Sequence, residues 1–98
     1  MAIKNKVTTK NTVSETLANR GTRYGSFDEH ARITQNLKAV MKDSPNWQAG
    51  SLSASQMESL EMIQHKIGRI LNGDANYADS WHDIAGYAML VESELEGE

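Results

Sequence analysis

Apolar residues along the chain return every three or four positions, and no window alternates in steps of two with β-branched residues. That period is helical, so it predicts helices and leaves a sheet without support. Three helix starts carry a Ser or Thr followed three residues later by Glu or Gln, the reciprocal capping pattern. Thr12-Val13-Ser14-Glu15 opens a short first helix that is expected to run out near Asn19–Gly21. Ser26-Phe27-Asp28-Glu29 opens a second, with Phe27, Ala31, Ile33, Leu37, Val40 and Met41 at helical spacing. Asp43-Ser44-Pro45-Asn46 stops it, because the residue before proline is pushed out of the helical region. Ser53-Ala54-Ser55-Gln56 opens the third, whose stripe Met57, Leu60, Ile63, Ile67, Ile70 and Leu71 is the clearest in the chain. Asn72-Gly73 reads as a left-handed stop. Asp79 is expected to cap a fourth helix carrying Trp81, Ile84, Ala85, Ala88, Val91 and Leu95. The expectation is an all-α fold: a small antiparallel helical bundle of three main helices plus a short N-terminal one. Residues 1–10 read as a flexible basic arm and 11–98 as a single helical domain.

If the apolar stripe of the third helix marks the core, Glu58, Glu61, His65 and Arg69 fall roughly 115–175° away on the wheel, with Lys66 on the flank at about 105°. In the fourth helix Asp79 and Asp83 point nearly opposite the Trp81/Ile84/Ala88/Leu95 side, while Tyr87, Gly86 and Leu90 lie off the stripe. A mid-helix glycine costs up to about 1 kcal/mol relative to Ala, and Leu90 sits on the supposed wet side. Both features are expected where the charged sides of the last two helices meet another subunit, so the protein is expected to be a homo-oligomer.

Composition narrows the function. With no cysteine there is no disulfide, zinc-thiolate site or Cys nucleophile. No apolar run reaches the roughly 18 residues needed to span a bilayer, so no membrane partner is expected. MAIKNKVTTK lacks the apolar region of a secretory signal, and a cytoplasmic location follows as the expectation. A net charge of −3 argues against a DNA or RNA coat. His30, His65 and His82 form no His-x-x-x-His pair and are expected on the surface.

Three groupings carry candidate chemistry. Arg20-Gly21-Thr22-Arg23-Tyr24-Gly25-Ser26 leads into the N-terminus of the second helix, where free N–H groups and the dipole favour an anion. There Arg20 and Arg23 would grip a phosphate, Gly25 would let the backbone approach, and Tyr24 would stack on a base. Lys66 and Arg69 face Asp79 and Asp83 across a short loop, either as mutual ion pairs or as a site in which the cations hold phosphates and the carboxylates a divalent metal or sugar hydroxyls. Finally, Glu58-x-x-Glu61 together with Asp79 and Asp83 has the donor type for magnesium.

Arg20-Gly21-x-x-Tyr24-Gly25, Lys66-x-x-Arg69 and Asp79-Ser80-Trp81-x-Asp83-Ile84-Ala85-Gly86-Tyr87 resemble an uncharacterised family of small all-helical phage and prophage proteins. The resemblance spans about residues 20–92. More distantly the chain is similar to the MazG-like all-α nucleotide pyrophosphohydrolases. In that group a Glu-x-x-Glu on one helix and a Glu-x-x-Asp on a later one hold magnesium. Glu58 and Glu61 match the first pair, but Ser80 stands where the second motif needs glutamate, and Asp79 is shifted by one. That departure counts against hydrolysis more than against nucleotide binding.

The resulting expectation is a phage-type protein binding a nucleotide or cyclic nucleotide at an oligomer interface, in the cytoplasm of an infected bacterial host. It would act as an anti-defence sponge for a host signalling nucleotide and need no cofactor. Arg20, Arg23, Lys66 and Arg69 would hold phosphates, Tyr24 or Tyr87 a base, and Asp79 or Asp83 ribose or base hydrogen bonds. The alternatives are a magnesium-dependent pyrophosphohydrolase using Glu58, Glu61, Asp79 and Asp83, and a host-protein adaptor using the Gly86/Leu90 side.

Overall fold

The computed structural model describes residues 12–97, and the expected basic arm at 1–10 lies outside them. The described chain is all-α, in five helices: α1 Val13–Tyr24, α2 Phe27–Lys42, α3 Pro45–Gln48, α4 Ala54–Asn72 and α5 Ala78–Leu95. Two capping boxes form as the spacing predicts. The Glu15 amide donates to Thr12 Oγ1 and the Thr12 amide to Glu15 Oε1, and Ser53 with Gln56 repeats the exchange. At α2 the exchange is one-sided. Ser26 accepts from the Glu29 amide, but the Glu29 carboxylate turns to Arg32 instead, and this charge-assisted contact holds its pKa below the usual value.

Three boundaries differ from expectation. α1 continues through Gly21 to Tyr24, and the chain turns only at Gly25, with φ +79°. Pro45 both ends the preceding segment and starts the short α3, since its missing N–H costs nothing at a first helical position. Gly73 has φ −124°, so it is not a left-handed stop, and Tyr77 rather than Asp79 is the N-cap of α5.

α4 is the central element. α2 packs antiparallel along one side of it and α5 antiparallel along the other, while α2 and α5 do not touch. The helices therefore make a layer, not a closed bundle. Its seams are small and polar: the buried residues are His30 and Thr34 of α2, Ser59, Gln64 and Gly68 of α4, and Ser80 of α5. Among the described residues no hydrophobic side chain is buried.

The core direction inferred from the stripes is thus reversed in effect. Leu60, Ile67, Leu71, Trp81 and Leu95 are exposed, whereas His65 and Arg69, expected to face away from the packing, sit against α1 and α2. The reason is size. A Cβ on Gly68 would come within 2.7 Å of the Thr34 methyl, so α2 lies on α4 at a place where only glycine fits.

Candidate functional site

The C-terminus of α1, the N-terminus of α2 and the C-terminus of α4 meet at one corner. Asn72 ties them together, its Nδ2 donating to the carbonyls of Tyr24 (2.8 Å) and Ser26 (2.9 Å). The Asp74 amide donates to the Arg23 carbonyl at 2.6 Å. The two backbones cross so closely that a Cβ on Gly25 would collide with Asn72 and one on Gly73 with Arg23 and Tyr24. Both glycines are required by this crossing, and Gly25 also by its positive φ.

Against this corner lies a cavity of about 260 Å³, lined by Arg20, Tyr24, Phe27, His30, His65 and Arg69 with Leu17 and the Gly21, Gly25 and Ser26 backbone. The Tyr24 ring is its centre. The Arg69 guanidinium stands 4.1 Å and that of Arg20 5.2 Å from the ring centroid, both within cation–π range. Among the described residues, neither arginine has a carboxylate within ion-pair distance. At the floor, His30 Nε2 and His65 Nδ1 are 3.3 Å apart with their rings edge to face. Burial, then the Arg69 charge, lowers the pKa of both, that of His65 to about 4, so both are neutral near pH 7. His30 Nδ1 is buried without a partner. If His30 Nε2–H donates to His65 Nδ1, that orphan is a bare lone pair and His65 keeps its Nε2–H as a donor. The opposite tautomer would orphan a donor at greater cost.

Arg23 faces the other way. It lies over the Tyr77 ring, 4.7 Å from the centroid, and donates to Tyr77 Oη at 2.8 Å. That hydroxyl donates in turn to Asp79 Oδ2 at 3.0 Å, a bond that pushes the Tyr77 pKa up. Lys66 pairs with Asp83 at 3.0 Å and closes the α4–α5 seam, largely buried on the lysine side. Tyr87 is half-buried, and its carbonyl accepts from Ser59 Oγ.

Of the nine residues expected to bind a ligand, the structure gathers Arg20, Tyr24, Gly25 and Arg69 around one cavity. It sends Arg23 and Asp79 to a neighbouring cluster and Lys66 and Asp83 to a helix seam. The Arg20–Ser26 segment is a helix end and its turn. Among the described residues no group of three or more His, Asp and Glu side chains could hold a metal ion, so Glu58, Glu61, Asp79 and Asp83 are not gathered within one protomer.

Sequence reasoning missed His30, His65, Phe27, Asn72 and Tyr77. The histidines, expected on the surface, are a buried and a half-buried member of one pair. A faint signal existed: His30 and Thr34 one turn apart, and His65 one turn before a mid-helix glycine, form small polar stripes that pack on each other.

Residues 8–95 match a family described as a domain of unknown function (DUF6378). No curated protein and no solved structure matches the chain.

Proposed function

We propose that this chain, which belongs to the DUF6378 family, binds a phosphate-bearing nucleotide in the Tyr24 cavity and holds it intact. One observation carries this reading: two arginines without carboxylate partners flank an aromatic ring in a largely apolar hollow, in a chain of net charge −3. Acidic residues are plentiful, yet among the described ones none has moved in to neutralise Arg20 and Arg69. A guanidinium favours planar, two-pronged contact with phosphate, and the exposed Phe27 ring in the cavity lining offers an aromatic face for a base. At about 260 Å³ the cavity lies just under the ~300–1,000 Å³ of most ligand sites, which suits one nucleotide unit better than a long chain.

Intact binding is preferred to hydrolysis because no carboxylate cluster for magnesium is preassembled among the described residues, and Ser80 stands where the pyrophosphohydrolase motif has glutamate. Capture of a host signalling nucleotide, as the phage-type resemblance implies, belongs to the same proposal.

Titration calorimetry with nucleoside triphosphates and cyclic dinucleotides tests it. A member of the panel should bind and be recovered unchanged by mass spectrometry. Arg20→Ala or Arg69→Ala should each weaken it roughly 10- to 100-fold, the value of a charge-assisted contact. Lys66→Ala should leave affinity within about threefold, since Lys66 serves the α4–α5 seam. Equal losses for Lys66→Ala and Arg69→Ala, or no binding by any member of the panel, would refute the cavity as the site.

A further inference from the structure

α4 and α5 share an apolar face that no other described residue covers. Leu60, Ile67 and Leu71 stand one above another on α4, 42%, 37% and 64% exposed. On α5, Trp81 and Leu95 lie on the same side as Ala88 and are 55% and 71% exposed. At one end the two helices leave a groove of about 320 Å³, lined chiefly by Leu52, Leu60, Ile63, Ala88 and Val91.

We propose that a second copy of this chain covers the face, α4 and α5 of one protomer packing on α4 and α5 of the other about a two-fold axis. The first argument is dependence. Ordering a chain costs about 1–2 kcal/mol per residue, and that cost is met mainly by burying apolar side chains. Among the described residues no hydrophobic side chain is fully buried, so the protomer alone meets only part of that cost. A second copy is present wherever the chain folds, and it brings an identical apolar face to meet this one.

The second argument is area. Large side chains present on the order of 150–250 Å² each, so the five exposed ones offer roughly 500 Å². Half-buried Ile63, Ile84 and Val91 add on the order of 100–200 Å², bringing the face to roughly 600–700 Å² against the ~800 Å² that each partner contributes to a standard interface. The third is pattern. Leu60, Ile63, Ile67 and Ile70 alternate in steps of three and four, the spacing of a four-helix-bundle seam, and no charged residue of α4 falls on that side between Leu60 and Leu71.

This surface is opposite in chemistry to the charged sides that the sequence pointed to, and it is independent of the Tyr24 cavity. Light scattering on the full chain should give twice 10.9 kDa, and a folded particle of 10.9 kDa would overturn the proposal. A second measurement locates the contact. The chain has no cysteine, so Ile67→Cys and Glu58→Cys each supply a single thiol, and Glu58 is exposed on the far side of α4. The thiol at position 67 should react with a disulfide reagent about tenfold more slowly than that at 58, because it waits for the interface to open. Equal rates in a dimer would place the contact elsewhere and equally overturn the proposal.

Discussion

Gly68 and Gly86 both interrupt long helices, and the sequence pattern singles out Gly86 as the place of close approach. Within the protomer the structure puts that approach at Gly68 instead. A Cβ at 68 meets the Thr34 methyl and, at 3.2 Å, the His30 ring, whereas a Cβ at 86 meets nothing within 4 Å. Gly68→Ala should therefore destabilise the protein by about 1–3 kcal/mol through overpacking. Gly86→Ala should stabilise it by about 0.5–1 kcal/mol through helix propensity alone. Urea midpoints of the two variants check the opposite signs. The histidine pair supplies a second expectation at this scale. The His65 pKa is lowered to about 4, so below its unfolded value of 6.5 the unfolded chain takes up a proton that the folded chain refuses. Stability should be complete above pH 6.5 and fall as pH drops through 6 toward 5, a window in which ordinary carboxylates stay ionised. His65→Gln should flatten that slope in urea unfolding at pH 7.5, 6 and 5.

Helix starts were readable because a cap is local: Thr12 with Glu15, and Ser53 with Gln56, are three residues apart and need no distant partner. The end of α1 was not readable. Gly21 costs helix stability, yet α1 runs on to Tyr24, because its last turn docks on the loop after α4 through the Arg23 carbonyl and Asp74 amide. Those partners are some fifty positions away in the chain. The same corner makes Asn72 the residue that fixes the angle between α1 and α2. Asn72→Ala removes two hydrogen bonds and leaves the Tyr24 and Ser26 carbonyls without their donor, at a cost of about 1–3 kcal/mol. In differential scanning calorimetry it should lower Tm by several degrees. Under the proposed function nucleotide affinity should fall with it, because the corner positions Tyr24 against Arg69.

For the molecule as a whole, the described helices leave polar seams inside and an apolar side exposed, which the proposed dimer would cover. A dimer that folds only as a dimer is stabilised by mass action, so Tm should rise with protein concentration over a hundredfold dilution series. A constant Tm would mark a chain stable by itself. Periodicity alone settled the class of fold, the number of long helices and which side of α4 and α5 is apolar, since these follow from residues within a turn or two of one another. What it could not settle is which side of α4 its neighbours occupy. Glycine at 68 and serine at 59 and 80 admit close backbone approach, and small-residue contact, rather than the hydrophobic stripe, decides where α2 and α5 lie. The cavity follows from that choice: Arg20, Tyr24, His65 and Arg69 converge only because three chain segments far apart in sequence cross at Gly25 and Gly73, and such a crossing is set by packing, not by spacing along the chain.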